Sequence, residues 1–230
     1  RSQVKLKTMA ARIKTSQRIV NSSLELFNQL GERSVSTNHI AAHMEISPGN
    51  LYYHFPNKQA IISVLFSEYE ALVLRFLRPP EGRMASVEDK RQYLQQLLDA
   101  MWRYRFLYRD IEHLLHSDSE LAARYRVFSQ NCLHQAQAIY RGFVDAGLMC
   151  MTPLQIESLT LNAWIILTSW VSFLCTTREN NDQLSEQAIK RGVYQLLVLE
   201  SGFVTAQGRA DFDELIKDYY VPLEHALHVQ

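Results

Sequence analysis

The sequence predicts an all-α protein, with a small basic head at the N-terminus and a larger helical body behind it. Three observations carry this. Strand signals are nearly missing: no Asn-Gly or Asp-Gly hairpin lies between alternating runs, and glycine occurs eight times in 230 residues. Apolar residues recur at helical spacing from end to end. The charge is also split. Residues 1–60 hold eight Lys/Arg against three Asp/Glu, a net +5, and the remainder holds sixteen against twenty-one, a net −5. A basic front on a formally neutral chain suits a polyanionic partner.

The elements follow in order. Ile13, Val20, Leu24, Phe27 and Leu30 form one helical stripe, and Gly31 is placed to stop it. Ser36 or Thr37 can cap a short second helix to about Met44 that buries Ile40, Ala41 and Met44. Ser47 caps a third helix with Pro48 at its first position, where a missing N–H costs nothing. Pro56 ends it. Asn57 caps a fourth, with Ile61, Ile62, Leu65, Phe66, Tyr69, Val73 and Phe76 as its apolar stripe. Pro79, Pro80, Glu81 and Gly82 break that helix. Six further helices are expected over 86–106, 108–116, 118–146, 152–177, 185–201 and 211–228. The domains expected are a head of 1–57, a connecting helix of 58–78 and a body of 79–230.

Other classes are bounded by what is missing. At 47% hydrophobic the chain can bury a sizeable core. No short apolar leader opens it. Cys132, Cys150 and Cys175 lie far apart in no C-x-x-C, so a reducing cytoplasm is the expected compartment. No Gly-rich phosphate loop, G-x-S-x-G or H-E-x-x-H is present, which leaves a helical enzyme as a remote reading. No cofactor is implied.

The second and third helices, joined by two or three residues, read as a helix-turn-helix, whose second helix enters the DNA major groove. A groove-bound helix needs small or polar residues at its start, and Ser47, Pro48, Gly49 and Asn50 stand there. Asn50 can both donate and accept, which suits a base edge. Leu51 and Phe55, four apart, should face inward. Tyr52, Tyr53 and His54 cover the rest, with tips suited to phosphate oxygens. Lys58 and Thr37 open neighbouring helices and can hold further phosphates. The bland alternative is a partly buried aromatic surface, and one of the two tyrosines is expected to pack inside.

The stretch VSTNHIAAHMEISPGNLYYHFPNKQAII, residues 35–62, resembles the N-terminal signature of TetR-family transcriptional regulators. The match runs through the threonine and the Ile-Ala pair, then the serine, glycine, LYYHF and lysine. The resemblance implies a homodimeric repressor of a pseudo-palindromic double-stranded operator, with a small-molecule pocket in the body. It assigns DNA contacts to Thr37, Ser47, Gly49, Asn50, Tyr52, Tyr53, His54 and Lys58. Two positions depart. Glu45 stands where glycine is common, implying a looser turn. Pro48 replaces a frequent polar residue, a loss for which Lys5, Lys7, Arg12 and Lys14 could compensate.

In the body, residues 159–175 (LTLNAWIILTSWVSFLC) are apolar on nearly every side. Seventeen residues fall short of a membrane span of roughly twenty, so the helix is expected to be buried by its own core and by a second copy. The dimer contact is expected at Trp170, Phe173, Val193 and Leu197, and the resemblance places it on the same two helices. Trp102, Phe106, His113, Tyr125, Phe128, Tyr140 and Trp164 are candidates for lining an effector pocket, against the plainer reading that most are core. They imply a small, largely apolar effector. His113 and His116 have no third convergent ligand, so no metal is expected. A constitutive architectural DNA binder, with the head but no cavity, is the alternative function.

Overall fold

A computed structural model describes residues 2–178 and 184–227, with the backbone alone for residues 2–14. The Ile13 side chain, the cations Lys5, Lys7, Arg12 and Lys14, and residue 228 therefore lie outside the described parts. The chain divides into two compact units, residues 1–69 and 70–230. The division falls inside the stretch expected to be a connecting helix, because that helix buries its first half in the head's own core.

In the head, α1 (Ser2–Leu30) stops at Gly31, whose φ of 86° is left-handed. A 3₁₀ turn (Glu32–Ser34) leads to α2 (Thr37–His43). Ser36 caps α2 reciprocally: its Oγ accepts from His39 N–H at 3.2 Å, and its own N–H donates to His39 Nδ1 at 3.4 Å. The turn into α3 (Pro48–His54) is tight despite Glu45, which adopts φ 55°. Ile46 N–H donates to the Ala41 carbonyl at 3.0 Å, closing the turn. Glutamate thus takes the left-handed geometry that glycine would adopt freely, so the looser turn expected there does not form. α4 (Lys58–Phe76) opens on Asn57, whose Oδ1 accepts from Ala60 N–H at 2.8 Å. Val20, Phe27, Ile40, Ala41, Leu51, Phe55, Ile61 and Leu65 are the buried core of the head.

The body holds α5 (Val87–Arg103), α6 (Arg105–Ser117), α7 (Ser119–Asp145), α8 (Pro153–Thr177), α9 (Glu186–Glu200), α10 (Arg209–Tyr219) and α11 (Leu223–Leu227). The stretch 86–106 is interrupted at Tyr104, which leaves helical geometry (φ −112°, ψ 32°) to bury its ring. The described part of the stretch expected at 211–228 holds two helices, because Pro222 has no N–H and disfavours helix at the residue before it. Among the described residues there is no strand, and Met149 and Val204 form one isolated bridge. α8 packs on α6, α7 and α9.

Two contacts tie the body together. The Trp170 indole lies against Gly192 of α9, and its Nε1–H donates to the Ala188 carbonyl at 2.8 Å. Further along α9, Glu200 is fully buried, and its Oε1 accepts from Lys90 Nζ at 2.6 Å and from the Tyr140 hydroxyl at 2.5 Å. One carboxylate therefore joins α5, α7 and α9. Burial, reinforced by the Glu200 charge, pushes the Tyr140 hydroxyl well above its usual pKa.

These contacts correct the expected dimer surface. Trp170 is 8% exposed, and Val193 and Leu197 are fully covered within a single copy, whereas Phe173 is 41% exposed. Strong hydrophobicity marked core and surface alike, and helical phase separates them. The open face of α8 carries Leu154, Leu161 and Ile165, all at least half exposed. α8 also runs 25 residues, so length alone does not distinguish it from a membrane span.

Three outcomes follow from this packing. Gly192→Ala places a methyl group inside the Trp170 ring, and thermal melting should show a loss of about 1–3 kcal/mol. Glu45→Gly relieves the left-handed turn, and a gain of up to about 1 kcal/mol is expected in denaturant unfolding. Asp89 of α5 accepts from Arg83, with Nη1 at 2.7 Å, and from Ser86 N–H at 2.8 Å. The Arg83 bond, then the Ser86 bonds, against the cost of burial, bring its carboxyl down to about 2. A carboxyl depressed on folding stabilises above its unfolded value near 4 and loses that contribution as pH falls toward 2. Asp89→Asn should flatten the acid limb of the melting-temperature profile in that window.

Candidate nucleic-acid interface

The exposed face of α3 is set by its buried one. Leu51 is 0% and Phe55 6% exposed, which turns Ser47, Pro48, Gly49, Asn50, Tyr52 and Tyr53 outward. Neither tyrosine packs inside: Tyr52 is 48% and Tyr53 65% exposed. The inward side of a seven-residue helix has room for two large side chains, and Leu51 and Phe55 fill it.

Each outward residue has a definite setting. Ser47 Oγ caps α3 by accepting from Asn50 N–H at 3.1 Å, which leaves its hydroxyl hydrogen to donate outward. A Cβ added to Gly49 would meet nothing within 4 Å, so glycine there keeps the surface low rather than filling an internal gap. Asn50 is exposed at the start of the helix, where a base edge would lie. His54 is half-buried and stands edge-on to Tyr53, with ring centroids 5.3 Å apart. The Thr37 and Tyr52 hydroxyls bond to each other at 2.9 Å and so fix the start of α2 against α3.

Lys58 is held from within the head. Its Nζ donates to the carbonyls of Glu32 and Val35, both at 3.0 Å, and pairs with Glu32 Oε1 at 2.6 Å. An ammonium has three donors, and these partners take all three. Glu32 is 3% exposed, so the pair is largely sheltered. Arg33, which the sequence reading did not single out, is exposed beside this pair on a cleft of about 380 Å³. Its signal was a cation in the short link ahead of α2.

In the body, Tyr125, Phe128 and Trp164 come together with ring centroids 6.0–6.5 Å apart. Burial, with a smaller contribution from Cys132, pushes the Tyr125 hydroxyl up to about 12. Tyr140 does not join them. It lies twelve residues further along α7, about 18 Å at helical rise, and is bound to Glu200. Trp102 is half-buried under the Arg105 guanidinium, 4.0 Å from its ring centre, and Phe106 is fully buried. His113 is half-buried, and its carbonyl accepts from Ser117 Oγ at 2.7 Å. Among the described residues no cluster of three His, Cys, Asp or Glu could hold a metal.

Two short capped helices, with a polar face on the second and a basic front, define a helix-turn-helix DNA-binding protein. The profile described as "Bacterial regulatory proteins, tetR family" matches residues 19–65, and the TetR profile described as "Bacterial transcriptional repressor" matches residues 68–212. The chain belongs to the TetR family of transcriptional regulators.

A TetR-family transcriptional regulator from Marinobacter aquaeolei VT8 is 42% identical in sequence, with a TM-score of 0.82 over 90% of this chain and 99% of that one. The HTH-type transcriptional regulator UidR of Escherichia coli K12 is 39% identical over 69 residues. That match spans 30% of this chain and 35% of the relative, so the chain covers about a third of that protein's length. The Streptomyces coelicolor protein CprB, 16% identical with a TM-score of 0.61 over 91% of this chain and 98% of that one, shares the fold.

Asn50 has no internal task, since only its backbone N–H is used in the cap. Asn50→Ala should therefore leave the melting temperature unchanged while altering base preference in a sequence-selection assay. Tyr53→Ala, at a position suited to phosphate, should weaken binding to all duplexes by similar factors.

Proposed function

We propose that this chain is a ligand-responsive repressor that binds a pseudo-palindromic operator as a homodimer in the cytoplasm. The observation that carries the reading is the outward face of α3, with Ser47, Gly49, Asn50, Tyr52 and Tyr53 exposed over buried Leu51 and Phe55. A two-fold pair of such helices, one helical turn of DNA apart, reads two half-sites in successive major grooves.

The dimer surface that fits is the open stripe of α8, Leu154, Leu161 and Ile165, extended by Phe173 and by Val198 of α9. Ser158, Ser169 and Ser172 lie on the same side. A lipid-facing helix would instead be free to show an apolar surface all round, yet the opposite side of α8 is packed on other helices of the body. A two-fold pairing of this stripe covers the largest exposed apolar side chains of the helix.

The effector region that fits best is the aromatic group of Tyr125, Phe128 and Trp164, with Trp102, Phe106 and His113 as further candidates. Their chemistry suits a small, largely apolar ligand. α4 runs unbroken from Lys58 in the head to Phe76 in the body, so its position is the natural variable for coupling. Whatever factor by which such a ligand weakens operator binding, the operator must weaken the ligand by the same factor.

Two experiments test the proposal. Ile165→Arg puts a charge at the centre of the stripe, and sedimentation should show monomer with an unchanged helical spectrum; an undisturbed dimer moves the interface elsewhere. Genome-wide capture of bound DNA should return a pseudo-palindrome, and sites without two-fold symmetry would end the operator reading.

A further inference from the structure

We infer that the C-terminal arm, residues 220–227, is an interaction surface for a second copy of this chain, with Tyr220 and Leu223 as the side chains it offers. This rests on the homodimer reading above and adds to the α8 stripe a part that lies outside residues 68–212, the span matched by the TetR profile.

The arm leaves α10 at Tyr220, whose backbone is extended, and ends in α11. A five-residue helix does not hold itself in water, so its shape comes from α9 and from the end of α8. Arg191 of α9 is the main fastening. Its Nη1 donates to the Val221 carbonyl at 2.6 Å, and its guanidinium lies over the rings of Tyr194 and Tyr220, 4.7 and 5.8 Å from their centres. The two rings also meet edge to face, with centroids 5.4 Å apart. Val221 and Ala226 are buried, and Leu227 packs with Leu184 against Trp170, Leu174 and Ala188.

A fastened arm gains most by turning its large side chains inward. This one turns two of them out: Tyr220 is 53% and Leu223 46% exposed. Single exposed apolar side chains are ordinary, and it is their position that decides. Arg191 and Tyr194, which hold Tyr220, share one face of α9 with Val198, because positions 191, 194 and 198 recur at three and four residues. Val198 is exposed there and belongs to the dimer stripe. At the other end of the arm, Leu227 lies against Trp170, whose ring centre stands 5.3 Å from that of Phe173, the stripe's last member on α8. The arm therefore adjoins the stripe at both ends, and a second copy seated on the stripe is the occupant beside Tyr220 and Leu223. The stripe also needs the addition: a permanent homodimer buries more than about 1,000 Å² on each copy, and Leu154, Leu161, Ile165, Phe173 and Val198 alone are a narrow base for it.

Contact with a partner and mere support of α9 separate in what dissociation uncovers. Sedimentation of the full chain over a dilution series gives the dimer dissociation constant. Hydroxyl-radical labelling of the unaltered protein, read by mass spectrometry above and below that constant, reports the cover of Tyr220 and Leu223 without depending on how a variant folds.

The double variant Tyr220→Ser, Leu223→Ser should raise the dissociation constant about tenfold or more, with an unchanged helical spectrum. In the unaltered protein, labelling of Tyr220 and Leu223 should fall on passing from monomer to dimer, while buried Val221 labels equally in both. An unchanged constant in the double variant, or labelling of the two side chains that does not vary with concentration, overturns the arm as a dimer surface and leaves the homodimer reading standing. An unaltered protein that sediments as monomer at every concentration overturns the homodimer reading itself, and the arm with it.

Discussion

Two helices of seven residues each carry the recognition face, and a helix of that length does not hold its shape in water unaided. Everything the head does depends on anchoring them from outside. The anchors are of three kinds. Caps at Ser36 and Ser47 satisfy amides that the short helices cannot satisfy themselves, and Asn57 does the same for the start of α4. Ile40, Ala41, Leu51 and Phe55 fix the inward faces by burial. Lys58 then ties the link ahead of α2 to the start of α4. A recognition helix held this way presents its outer residues with little freedom to lose on binding, which is the entropic condition for tight contact.

The body solves a different problem with the same economy of parts. Its longest helices are apolar enough to associate in several registers, since hydrophobic burial is not directional. Glu200 supplies direction. A buried carboxylate must meet both Lys90 and Tyr140, so α5, α7 and α9 have few relative positions that leave it paired. Gly192 adds a steric condition, because the flat Trp170 ring fits only where no side chain intervenes. A buried ion pair is in general weak evidence for stability, because desolvation offsets its attraction.

Most of the head was legible in the sequence because its determinants are local. A cap, a proline at the first turn or a stop glycine acts within four residues, and the spacing of Leu51 and Phe55 fixes which face is buried. Some misses were local, such as the break at Pro222 that the sequence displays; the larger ones were non-local. Lys58 finds carbonyl partners 23 and 26 residues earlier in the chain, contacts that no local pattern announces. Val193, Leu197 and Trp170 were as apolar as the stripe that stays exposed, and only the positions of neighbouring helices tell the two apart. Tyr140 was grouped with other aromatics by residue type, yet it serves Glu200, sixty residues away. Even Glu45 belongs here: its residue type suggested a loose turn, and the surrounding helices impose the tight one.

The exposed and buried cations of the head show why residue type is a poor guide to electrostatic role. Lys58 and Arg33 lie on the same cleft and would be counted alike in any tally of basic residues. One is neutralised by a sheltered carboxylate and contributes geometry. The other stands in solvent, where its field is screened yet available to an approaching polyanion. The net charge of +5 over residues 1–60 therefore overstates nothing in sum but misplaces its source. Because Glu32 cancels Lys58 locally, the positive field of the head's described surface comes from its exposed cations, Arg33 among them.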